Sequence, residues 1–177
     1  RSDAGRFDEA RTRLADARAM QRAERTLPAL RREAELFATE AESYLLEGEA
    51  DLAAETFEAG AGLFAGVDRM EEALARDAAA RRLYEHGLRF GGSGLSRAID
   101  LHRRNEEIWT RATRPVLWAQ SRNYLGVALA AQAERTAGAA GMALLGEAAA
   151  AYRAALEVST RADHPLDLAR AQNNLAI

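Results

Sequence analysis

Apolar residues recur along this chain at three- and four-residue intervals, and nowhere do they alternate with polar ones as a half-buried strand requires. Helical period throughout predicts an all-α fold. Gly48, Gly66, Gly91-Gly92 and Gly138 with Gly141 punctuate the pattern as turns. Pro115 and Pro165 suit a first helical turn, where a missing N–H costs nothing. The reading gives about eight helices, at roughly 6–25, 28–47, 49–64, 67–88, 95–112, 115–135, 142–161 and from 165 onward. Between Val67 and His86 the apolar register is ambiguous.

The pattern repeats. Thr110-Arg111-Ala112-Thr113-Arg114-Pro115 is answered by Thr160-Arg161-Ala162-Asp163-His164-Pro165, an offset of about 50 residues. At that offset Ala119, Asn123 and Leu125 meet Ala169, Asn173 and Leu175, and Ala98 and Leu101 meet Ala148 and Ala151. A shared grammar runs from one end to the other: Ala10, Leu14, Ala17; Ala53, Phe57, Gly60; Ala98, His102, Asn105; Ala148, Tyr152, Ala155. Positions i, i+4 and i+7 share a helix face. A small residue at the first lets a neighbouring helix approach, and the larger second residue fills the gap between helices.

Phe37-x3-Ala41-x2-Tyr44, followed by Gly48, Ala53, Phe57 and Gly60, resembles the tetratricopeptide repeat at that family's own spacing. The last units, with Asp163-His164-Pro165 and Asn173-Asn174-Leu175-Ala176, are similar to the longer-helix variety of kinesin light chains and bacterial signalling proteins. His102 and Asn105 depart from it, standing where an aromatic and a small residue are usual. The resemblance implies a right-handed superhelical solenoid of antiparallel helix pairs in a single repeat domain over residues 1–177. It also implies a half-repeat at each end, as in a piece of a longer array, with uncapped ends open to homo-oligomer formation.

Composition narrows the function. No run approaches the roughly 20 apolar residues of a membrane span. With no cysteine there is no disulfide framework or thiolate site, which fits a reducing, cytoplasmic setting. A net charge of −3 argues against nucleic acid as a partner. All 24 basic residues are Arg, which reads as a GC-rich codon habit. Charge is uneven: acidic residues crowd from Glu33 to Glu58, while Arg97, Arg103, Arg104, Arg111, Arg114 and Arg122 form a basic stretch. On amphipathic helices such runs read as solvated faces.

No chemistry-bearing motif survives scrutiny. Gly91-Gly92-Ser93-Gly94 lacks the preceding strand and the Gly-Lys-Ser/Thr ending of a phosphate loop, and reads as a turn with Ser93 as N-cap. His86, His102 and His164 form no metal-ligand spacing, so neither a metal nor a cofactor is expected; His102 reads as packing between helices in place of Tyr152. Trp109 and Trp118 read as packing too. No Ser/His/Asp grouping carries a nucleophile's signature, so an enzyme is not expected.

What the resemblance implies is a protein–protein interaction module whose first helices line a concave groove for a peptide or partner segment. The alternative is a sensor or self-assembly arm of a larger bacterial protein whose catalytic domain lies elsewhere. The family's ligand positions, carried onto this chain, are Gln120, Asn123, Tyr124 and Val127 in one repeat and Arg170, Asn173 and Asn174 in the next. Asn suits the task, since its amide donates and accepts at once and can hold an extended backbone.

Overall fold

The computed structural model describes residues 3–158 together with Asn173 and Asn174. Among these residues every regular element is helical. Helix α1 (Asp3–Gln21), a π-helical turn (Arg22–Thr26) and α2 (Leu27–Glu47) follow without interruption, so residues 3–47 make one rod. Then come α3 (Ala50–Gly62), α4 (Arg69–Phe90), α5 (Gly94–Asn105), α6 (Pro115–Ala133) and α7 (Gly138–Leu156), six rods among the described residues. The expected eighth helix lies outside them, apart from Asn173 and Asn174, which are helical.

The break expected between residues 25 and 28 is absent. Pro28 has no N–H to give, and its ring crowds the carbonyl one turn earlier. The chain widens here instead of ending: the Leu27 N–H reaches the Arg22 carbonyl, a π-type bond that takes up the misfit. Segments 6–25 and 28–47 are therefore not two separate helices. True ends have local causes. α2 stops at Gly48, whose φ of +84° turns the chain so that the Glu49 N–H bonds back to the Tyr44 carbonyl at 2.9 Å. α4 starts at Asp68, whose carboxylate accepts from the Met70 and Glu71 N–H groups at 2.9 and 3.3 Å. Ser93 precedes α5, but its side chain makes no capping bond there.

From α2 onward each helix packs on the next in sequence, and α2, α4 and α6 also touch in turn. One core cluster joins Ala41, Ala53, Phe57, Ala80, Leu83 and Ala98; a second joins Ile99, Leu125, Leu129, Ala148 and Tyr152, and half-buried Tyr84 packs against both. The anchors Ala53, Ala98 and Ala148 are all buried, as their spacing requires. Close approach is the reason. A Cβ on Gly126 of α6 would sit 2.6 Å from the Tyr152 ring of α7, so α7 leans on bare backbone there.

Buried polar residues cross the middle of the fold. Arg76 of α4 donates to both Glu58 carboxylate oxygens, to Glu72 at 2.9 Å and to the Asn105 side-chain oxygen at 3.3 Å. Asn105 in turn donates to the Ala73 carbonyl at 3.0 Å. Burial pushes the Glu58 carboxyl up, but the bonds and charge of Arg76, helped by Arg104, outweigh it and hold the carboxyl below its usual range.

The basic stretch disperses over ion pairs: Arg97 with Asp51, Arg103 with Glu147, Arg104 with Glu58, Arg111 with Glu157 and Arg122 with Glu106. No helix among the described residues is long and apolar enough to cross a membrane.

Candidate functional site

A cavity of about 240 Å³ opens between α4, the 106–114 connection and α6, with Ala155 of α7 also lining it. Each wall has a local origin. Asp77 and Arg81 are one turn apart on α4, so their side chains share a face and pair at 3.2 Å. α5 ends at Asn105, and the Trp109 N–H bonds to the Asn105 carbonyl at 2.8 Å, a turn that brings the indole inward. Gln120, Asn123 and Tyr124 fall one turn apart on α6, which Pro115 starts.

The electrostatics are mixed. Arg81 stands 5.9 Å over the Tyr124 ring, whose other neighbour is the His102 imidazole, stacked at 6.1 Å and 13°. The His102 Nδ1 lies 3.7 Å from the Asp77 carboxylate, too long for a hydrogen bond. Burial drives both groups toward neutrality: it lowers His102 to about 4, with the charge of Arg81 adding to the effect, and it raises the Asp77 carboxyl against the pull of Arg81. The Trp109 indole N–H is buried and has no partner among the described residues. The wall thus offers a guanidinium, side-chain amides and one carboxyl, which together can meet both the N–H and the C=O of an extended backbone.

Of the residues anticipated for ligand contact, Gln120, Asn123 and Tyr124 come together on this wall. Val127 does not: it is half-buried and packs against the second core cluster, one turn too far along α6. Arg170 lies outside the described residues. Asn173 is exposed, and half-buried Asn174 is the one that turns inward, donating from Nδ2 to the Asn123 Oδ1 at 3.2 Å. Asn123 is thus paired with Asn174, while Asn173, its equivalent in the repeat, is exposed.

Sequence reasoning missed Asp77 and Arg81, and read Trp109 as packing where it also lines the cavity. The signal was an Asp–Arg pair at four-residue spacing within the ambiguous segment, legible only once the register of α4 was known. A second, more apolar cavity of about 330 Å³ lies between α2, α3 and α4, lined by Ala34, Ala38, Phe57, Ala75 and Ala78, and Leu74 lines both. Among the described residues no group of three or more His, Asp or Glu is placed to hold a metal ion. No protein family, curated protein or solved structure matches the chain.

Proposed function

We propose that the chain is a protein-interaction module of tetratricopeptide build, a right-handed solenoid in which α2, α4 and α6 line the groove and an extended peptide is the ligand. The observation that carries this reading is the convergence of Gln120, Asn123 and Tyr124 with Asp77, Arg81 and Trp109 around one cavity, with a more apolar one beside it that Leu74 also lines. The polar cavity holds the ligand backbone through its side-chain amides, while the second accepts an apolar side chain. The reading involves no catalytic step.

A random-peptide display selection against the whole chain tests it. Peptides enriched on the wild type and lost on Asn123→Ala and Arg81→Ala support it, with each variant weakening binding by about 1–3 kcal/mol. If no peptide is enriched, or the enriched ones bind the variants equally well, the groove is not the site.

A further inference from the structure

Among the described residues helix α1 touches only the π-helical turn, and its described side chains, with those of the turn, Glu9 and residues 11–25, are all exposed. Most helical stability in proteins comes from packing of an apolar face, so a cover would stabilise α1. Its sequence specifies the cover's chemistry. Leu14 and Ala17 lie in a seven-residue register that the sequence carries back to Ala10 and Phe7. Arg11, Arg18 and Arg25 border this seam on one side and Arg13 on the other. Two α1 seams laid together would set Arg against Arg, so α1 does not pair with itself.

The outer face of α2 is its complement. Ala29, Leu36, Thr39, Ser43 and Leu46 share the same seven-residue register, and Leu36 and Leu46 are 71% and 91% exposed. Here every border is acidic: exposed Glu33, Glu40 and Glu47 on one side, exposed Glu35 and Glu42 on the other. Arg32 interrupts the stripe, at a place where Gln21 would face it. Leu14 and Leu36 are 22 residues apart, three heptads and one residue. The one extra residue that a π-type turn accommodates brings both stripes to one side of the rod. Two of the pairs already present, Arg13–Glu9 and Arg82–Glu42, are solvent-exposed and exchange at little cost.

Because the rod is continuous, α1 does not fold back on its own α2. We propose that α1 docks along α2 of a second copy of this chain. The two rods run antiparallel about a two-fold axis at the π-helical turn, so that the same contact is made twice. With Ala17 opposite Leu36, Leu14 meets Thr39, Arg18 lies between Glu33 and Glu40, and Arg11 lies between Glu40 and Glu47. This interface rests on other observations than the groove does, and it borders the second cavity at Glu35.

Charge reversal tests it on the full chain. Wild type is expected to run in light scattering at twice the 19.2 kDa chain mass. One variant carries Arg11→Glu, Arg18→Glu and Arg25→Glu; another carries Glu33→Arg, Glu40→Arg and Glu47→Arg. Each alone sets like charges together and raises the dimer dissociation constant by about a hundredfold. Mixed, the two restore a heterodimer, which pairing within one chain cannot do. As a second readout, Ala17→Cys and Leu36→Cys placed on separate chains of this cysteine-free protein should cross-link on mixing. This holds even if a reversed chain loses its helix content. A monomeric wild type, dimers indifferent to reversal, reversed chains that stay apart on mixing, or no cross-link between the cysteine variants would each overturn the proposal.

Discussion

The contacts α4–α5 and α6–α7 stand about 50 residues apart in the repeat and use opposite chemistry in the same place. In both, a buried alanine sets the approach, Ala98 in α5 and Ala148 in α7. One turn on, α5 has His102 where α7 has Tyr152, and next Asn105 where α7 has Ala155. The second contact is apolar, with Tyr152 lying against Gly126. The first encloses Arg76, which gathers Glu58, Glu72 and Asn105. The small anchor carries the geometry of the repeat, while the positions around it are free to change chemistry provided the polar ones are satisfied together. An apolar contact degrades by steps of volume; a buried polar one fails as a unit.

The largest effect is expected at Arg76. Arg76→Ala leaves two carboxylates and an amide without their shared donor and should cost about 3 kcal/mol or more. A urea midpoint near that of wild type would mean that the network contributes little. Asn105→Ala, the residue of the other repeat, should recover none of that loss when added to Arg76→Ala, since the two act through one network.

Next comes acid sensitivity, which the polar contact has and the apolar one lacks. His102 is held near 4 from an ordinary 6.5, so the unfolded chain binds its proton first. That stability is fully present above about 6.5 and is lost as pH falls toward 4, by as much as about 3 kcal/mol. Asp77, whose carboxyl burial raises above 3.8, works the other way, since the folded state takes up its proton first. Replacing His102 by Phe should flatten the decline between neutral pH and 5 in thermal melts. A variant that keeps the wild-type slope would assign the acid sensitivity to other groups.

The apolar contact should respond to volume alone. Gly126→Ala drives a methyl into the Tyr152 ring, and Ala148→Leu overpacks the crossing; each should cost about 1–3 kcal/mol, independent of pH. Unchanged melting of both would mean that α6 and α7 have room to part.

The smallest effect belongs to the cavity wall. Asn123→Ala breaks one partly buried bond, to Asn174, and should shift stability by about 1 kcal/mol or less. A loss as large as that of Arg76→Ala would make Asn123 a structural residue, not a ligand contact.

Sequence alone determined the helical class, the positions of the buried anchors and most of the turns. Those properties come from local periodicity, glycine and proline, which act within a few residues of where they stand. It left α4 ambiguous because Glu72, Arg76 and Asp77 lie on the buried side of that helix and break the apolar period that marks an inner face. It placed Gln120, Asn123 and Tyr124 on one surface, since a single helix fixes their spacing. Their gathering with Asp77, Arg81 and Trp109 needed three segments brought together, which no local pattern encodes. The same holds at the N-terminal rod. Pro28 reads as a helix start, yet a widened turn costs less than a break here, so the chain runs straight on. Only the tertiary structure decided that α1 would be left uncovered, because burial is a property of what packs nearby and not of the residue itself.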